Sequence, residues 1–133
     1  MSDTSRRQEY FVRTLHEPIS HYTHAVSLGD LVFVSGCIAV DAEGNLVGGD
    51  DAELQTAQVL RNLEEALTAA GSTLQDVVKV TVYLTDIRDR ERVNIPRQVM
   101  FGEARPSSTL VEVSKLVAVG AKVEIDAIAV RSG

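Results

Sequence analysis

The chain has 133 residues, of which 44% are apolar and 24% charged, and its formal net charge is −6. This length and composition predict one globular domain over 1–133. The acidic excess and the lack of a basic run disfavour nucleic acid as a partner. No apolar stretch reaches the roughly 20 residues of a membrane-spanning helix, and the polar start has no signal-peptide pattern. We therefore expect a cytoplasmic protein without a membrane partner, in which the single Cys37 stays reduced.

The first part of the chain predicts a frayed start followed by β-structure. Residues 1–8 are polar and bury little, so we expect order to begin near Tyr10. Two β-rich runs, 24–27 and 31–35, flank a Gly-Asp turn and predict a hairpin. After Gly36, the segment 37–40 is predicted to be a third extended run.

A long amphipathic helix is predicted over 51–70, where apolar residues recur at spacings of three and four. Asp50 or Asp51 can cap its first turn, and Gly71 lets the chain leave the helix. The strand 77–84 follows. Its alternation predicts one face with Val78, Val80, Val82 and Leu84 and another with Lys79, Thr81 and Tyr83.

The remaining elements are a second helix and two strands. Pro96 lacks an N–H, so we place it in the first turn of the helix within 86–102, with Asn94 just before the helix. Strands are predicted over 107–113 and 122–130. The order strand, strand, strand, helix, strand, helix, strand, strand predicts an α+β fold in which two helices pack on one face of a mixed sheet.

The last predicted strand carries two carboxylates on one face. Strand alternation puts Lys122, Glu124 and Asp126 on the side opposite Val123 and Ile125. A desolvated carboxylate beside a second one has a raised pKa, which suits a general acid or base. A solvated strand edge with ordinary charges is the commoner arrangement, and the pattern alone favours it.

Three other residues have side chains that can bind metal or act as nucleophiles, but no sequence pattern supports such a role. His21 and His24 are three residues apart, but no nearby residue completes a metal site, so we predict no metal and regard them as polar loop residues, one of them lining a pocket. Cys37 has no neighbouring base or cation in sequence, which favours a small buried apolar role over that of a nucleophile. The glycines do not have the spacing of a nucleotide-binding loop.

Several motifs in order resemble the Rid family of enamine/imine deaminases, over residues 19–130. They are Val34-Ser35-Gly36, Lys79 to Leu84 followed by Asp86, Val93-Asn94, Val111-Glu112-Val113 and Val123 to Val130. The resemblance implies a chorismate-mutase-like α+β fold and a homotrimer with a pocket at each subunit interface. We expect no cofactor. Older descriptions of such proteins also mention endoribonuclease activity.

The resemblance fails at one position. Family deaminases have a Pro-x-Arg-Ser/Thr segment whose arginine holds the substrate carboxylate by a two-point contact. The corresponding segment is Pro106-Ser107-Ser108-Thr109, so Ser108 occupies the arginine position. Arg105 remains a substrate-binding candidate, although an extended chain points it to the other side. The loss of the anchoring charge is expected to weaken binding of small α-imino acids by about 2–5 kcal/mol.

The other matching positions are retained. The resemblance implies that Tyr22, Gly36 and Asn94 border the pocket and that Glu124 orients or activates water. His21, His24 and Cys37 flank these positions and could form a pocket floor that suits a neutral, aromatic or cationic ligand. We therefore expect a hydrolytic deaminase acting on an imine or enamine other than the usual α-imino acids, with Ser108 assisting Glu124. The alternatives are a non-catalytic small-molecule-binding trimer and, third, an endoribonuclease.

Overall fold

The computed structural model describes residues 6–131. It contains six strands and two α-helices, the longer of which runs for 18 residues. In chain order the elements are β1 (Arg7–Tyr10), β2 (Ala25–Leu28), β3 (Leu31–Cys37), α1 (Ala52–Ala69), β4 (Val77–Leu84), α2 (Arg90–Phe101), β5 (Ser107–Glu112) and β6 (Val123–Val130).

All six strands form one mixed sheet in the order β1-β2-β3-β6-β4-β5. The β4–β5 pair is parallel, because α2 carries the chain back to the same end of the sheet, and the other pairs are antiparallel. Both helices pack on one face, which confirms the predicted α+β class. Within residues 6–131 no helix has the length and apolarity needed to cross a membrane.

The core lies between this sheet face and the helices. The helix predicted over 51–70 is confirmed: Asp51 caps it by accepting hydrogen bonds from the backbone N–H groups of Glu53 and Leu54. In β6 the alternation is also confirmed, since Val123 and Ile125 are buried while Glu124 and Asp126 are half-buried on the other face. That other face carries apolar side chains as well, and Phe33 is 40% exposed.

Two local predictions near the start of the sheet are corrected. Residues 1–5 lie outside the described residues, but 7–10 form β1 and are ordered because they pair with the edge of β2. Arg7, Gln8 and Glu9 are exposed, and the Tyr10 side chain packs against the core. The segment 37–40 is not a separate strand, because β3 runs on to Cys37 and the carbonyls of Ile38 and Val40 accept hydrogen bonds from the Asn62 side chain instead.

Two further corrections concern β4 and α2. The β4–β6 register shifts between Val77 and Lys79, so Val77 turns inward and Val78 is 47% exposed instead of lying on the buried face. Helix α2 already begins at Arg90 and runs through Pro96. Pro96 is buried, and packing against α1 offsets the backbone hydrogen bond that its ring removes. Asn94 consequently lies within the helix.

Candidate active site

Glu124 projects from the middle of the sheet on the face away from the helices. Its strand, β6, lies between β3 and β4, and Glu124 is directly opposite Tyr83. Burial raises the pKa of the Glu124 carboxyl, and the neighbouring Asp126 charge raises this pKa further. Asp126 accepts a hydrogen bond of 3.0 Å from the Tyr83 hydroxyl. Glu124 therefore combines partial burial with a second carboxylate nearby, and both raise its proton affinity.

The Glu124 side chain lies directly across Gly36. A Cβ atom added to Gly36 would be 2.0 Å from Glu124 Oε2 and 2.7 Å from its Cδ. Gly36 stands within the register shift that separates Val34 from Cys37 on β3. Gly36 leaves the space that the carboxylate occupies, and a side chain at this position would push the carboxylate aside.

A cavity of about 570 Å³ opens beside this carboxylate. Its walls come from the loop before β2, the end of β3 and the segment after it, together with α1. The cavity brings together five of the candidate residues: Tyr22, His24, Gly36, Cys37 and Glu124. Most of the other lining residues are apolar, including Leu15, Ile19, Ile38, Val40 and Val117.

His24 is held in the cavity wall by two hydrogen bonds to the backbone. Its Nδ1 accepts a 2.8 Å hydrogen bond from the Val12 backbone N–H, so the proton is on Nε2, which donates to the His16 carbonyl at 2.8 Å. With both ring nitrogens engaged, His24 has no lone pair to offer a metal. His21 does not line this cavity and borders a neighbouring groove.

Cys37 carries a protonated thiol. Burial raises the pKa of Cys37 to about 12, and the charges of Glu124 and Asp126 add to the shift. The Sγ atom lies 3.5 Å from the Ser35 carbonyl. Because the thiolate is the nucleophilic form, these values fit the predicted role of a small apolar lining residue.

The other three candidates lie outside this cavity. Ser108 is paired with the buried Val80, so it points to the helix side of the edge strand β5, whereas Glu124 is on the opposite face. Asn94 is exposed on α2, and Arg105 is exposed in the segment before β5. Within a single chain, the sheet therefore separates Ser108 and Asn94 from Glu124.

Sequence reasoning missed Arg97, which lies next to Ser108. The Arg97 Nη2 donates a 3.0 Å hydrogen bond to Ser108 Oγ. The predicted helix began at Pro96, so Asn94 and Arg97 were not expected on one helix. In the continuous α2, Arg97 lies one turn after Asn94 on the same side. A positive charge on α2 therefore lies beside the uncharged Ser108 of β5.

Fold and site together define a class: an α+β domain with a six-stranded mixed sheet and a half-buried carboxylate at an apolar cavity. Residues 14–131 match the family model described as Endoribonuclease L-PSP. The chain belongs to this family, which includes proteins called YjgF, Rid and RutC. The resemblance to Rid proteins seen in the sequence is confirmed.

Curated relatives and solved structures agree with this assignment. A RutC family protein of Pyrococcus horikoshii is 40% identical, covering 92% of this chain and 97% of its own length. The 2-iminobutanoate/2-iminopropanoate deaminase of Salmonella typhimurium is 38% identical and covers 85% and 89% respectively. The structure of Escherichia coli TdcF with bound serine has a TM-score of 0.86 at 32% identity, covering 94% of this chain and 99% of that one.

Proposed function

We propose that this protein is a hydrolytic deaminase of a small imine or enamine, in which Glu124 activates water. The observation that carries the proposal is the half-buried Glu124 carboxylate at the wall of an apolar cavity, with its pKa raised by burial. A base works best when its pKa approaches the pH of the reaction. The imine deaminase among the relatives supports the same reaction class.

The reaction adds water across the C=N bond of an imine, and an enamine first becomes that imine when its β-carbon gains a proton and its nitrogen loses one. Glu124 accepts a proton as the water oxygen bonds to the imine carbon, and the nitrogen gains a proton. The resulting carbinolamine loses ammonia and leaves a carbonyl product. Backbone N–H groups near Cys37 assist by stabilising the developing charge. Because imines hydrolyse readily, the pocket needs chiefly to orient the water and the substrate.

We further propose that the working unit is a homotrimer with shared pockets. Ser108 and Asn94 lie on a different surface of the chain from Glu124, so a second copy is needed to bring them to the same substrate. The sheet face away from the helices supports such contacts, since Leu31 and Phe33 are each 40% exposed there. We expect light scattering to give three times the 14.4 kDa chain mass. A monomer in dilute neutral buffer contradicts the shared pocket.

The substrate is proposed to differ from the usual small α-imino acids. Ser108 donates and accepts hydrogen bonds but carries no charge, so it cannot make the two-point contact that an arginine at this position makes. The separation of Ser108 from the cavity of its own chain leaves it to meet substrate across the subunit interface.

The direct test is Glu124→Gln, assayed on a panel of imines and enamines. We expect turnover to fall by about 100-fold or more, the scale for removing a general base. Asp126→Asn is the matched control, because it removes the neighbouring carboxylate while keeping an oxygen that accepts the Tyr83 hydrogen bond. Unchanged turnover in Glu124→Gln contradicts the proposed reaction.

One alternative function is supported by the serine at position 108. A trimer that has lost deaminase chemistry would still bind a small molecule in the cavity beside Glu124. It would be stabilised thermally by the ligand without consuming it. The endoribonuclease of the family description ranks third, because the chain has a net charge of −6 and only 5% aromatic residues. RNA cleavage abolished by Glu124→Gln would reverse this order.

A further inference from the structure

Arg97 is a half-buried cation whose neighbour is an uncharged serine. Within residues 6–131 its hydrogen-bond partner is the uncharged Ser108 Oγ, at 3.0 Å, and no aspartate or glutamate pairs with it. Arg88, by contrast, binds Asp86 at 2.8 Å. Burial lowers the pKa of the Arg97 guanidinium, but arginine remains charged at neutral pH. A partly desolvated guanidinium without a counter-charge favours the binding of an anion.

The surroundings of Arg97 supply further donors. Ser108 accepts the bond from Arg97, so its own hydroxyl proton is available to a ligand, and no described residue takes it. Asn94 lies one turn earlier on the same side of α2. Because β5 is the edge strand of the sheet, the cluster is open to a molecule approaching from outside the chain. The Arg97 guanidinium and the Ser108 hydroxyl together offer the charge and the donors that bind a carboxylate.

We propose that Arg97 and Ser108 form an anion subsite of the deaminase pocket and that the substrate is an imine or enamine carrying a carboxylate. The inference rests on the proposed function, because a neighbouring protomer must bring this subsite to Glu124. The guanidinium approaches from α2 and not from β5. It therefore holds the carboxylate in a different place from an arginine at position 108, which fits a substrate other than the small α-imino acids.

The test compares a carboxylate-bearing enamine with its methyl ester, with kcat/KM followed by the loss of ultraviolet absorbance. Arg97→Met is expected to lower kcat/KM for the carboxylate roughly 30-fold or more, the lower end of the effect of truncating one partner of a desolvated charge pair. The ester should change by less than about 3-fold. Arg92→Met is the matched control, because Arg92 is exposed on the same helix, and it should leave both substrates unchanged. Equal losses on both substrates, or no loss, overturn the subsite.

Two additional measurements keep the result interpretable. If Arg97→Met does not fold, Arg97→Lys keeps the charge without the planar fork and should show a smaller but still carboxylate-selective loss. If the wild-type protein turns over neither compound, calorimetry with the saturated carboxylate analogue replaces kinetics, and the same roughly 30-fold weakening in Arg97→Met is expected. Equal affinity of wild type and Arg97→Met overturns the inference.

The same variants separate this inference from the proposed function. If Glu124→Gln retains full turnover while Arg97→Met still discriminates against the carboxylate, the subsite is right and the role of Glu124 is wrong. Mixing Glu124→Gln chains with Arg97→Met chains tests the shared pocket. Random trimers then have about a quarter of their pockets with both wild-type groups, so about a quarter of the activity should return. No recovery means that the two groups do not meet across an interface.

Discussion

Gly36→Ala is the sharpest test of where the Glu124 carboxylate acts. The new methyl carbon would lie 2.0 Å from Glu124 Oε2, so the carboxylate must move by more than about 1 Å to regain an ordinary contact distance. A misplacement of about 1 Å in a catalytic group can cost roughly 100-fold in rate. We therefore expect kcat/KM of Gly36→Ala to fall by about 100-fold on the enamine used above.

Stability should change far less than activity in this variant. Gly36 is not among the glycines with positive φ, so alanine fits its backbone and restricts the unfolded chain, a gain of about 0.4–1 kcal/mol. Overpacking costs about 1–3 kcal/mol in a rigid core, but here the obstructing atoms are the end of a rotatable, half-buried side chain. The net loss should stay below about 2 kcal/mol, and the protein should remain folded by circular dichroism.

A double-mutant cycle shows whether the effect of Gly36→Ala runs through Glu124. Glu124→Gln combined with Gly36→Ala should keep the residual rate of Glu124→Gln alone, because the group that the methyl displaces has already lost its function. Full activity in Gly36→Ala refutes the placement of the catalytic carboxylate across Gly36. A further 100-fold loss in the double variant shows that the methyl acts on something else.

Three further predictions concern neighbouring groups. The activity should rise with pH as Glu124 loses its proton, through a pKa above its ordinary value. Asp126→Asn should move this rise to lower pH, because it removes a like charge, and a pH–rate profile that does not move contradicts the charge interaction between Glu124 and Asp126. Gln55→Leu should lower the free energy of unfolding by about 2–5 kcal/mol in urea titrations, because the buried Gln55 amide hydrogen-bonds two backbone carbonyls and one backbone N–H. A loss below about 1 kcal/mol argues against this role of the Gln55 amide. Cys37 should react with a thiol reagent at neutral pH only on unfolding, since its pKa is raised to about 12, and rapid labelling of the folded protein is the contrary result.

The fold was largely predictable because its main signals are local. The strict alternation of β6 defines its buried face without knowledge of any partner. The three-and-four spacing of apolar residues in 51–70 predicts most of the buried side of α1, but Leu54 is exposed and Gln55 and Thr56 are buried. The errors occurred where pairing overrides local pattern. Val78 turned outward because the β4–β6 register shifts, and the polar residues of β1 became ordered because a strand edge was available to them.

The sequence predicted individual residues of the candidate site but not how they are arranged. Motif resemblance singled out Glu124, Gly36 and Tyr22, but the sequence contained no sign that the Glu124 carboxylate lies across Gly36. Nor did it show that Arg97 reaches Ser108, since the two residues are eleven positions apart on different elements.

The sequence by itself determined which side β6 and most of β4 and α1 present to the core, because that choice depends on a period of two or of 3.6 residues. The tertiary structure decided which functional groups meet. It put the Arg97 guanidinium beside a serine that lacks charge, and it separated that serine from Glu124 by the thickness of the sheet. Contacts of this kind depend on how distant elements pack and on strand register, and no local period of the chain encodes either of them.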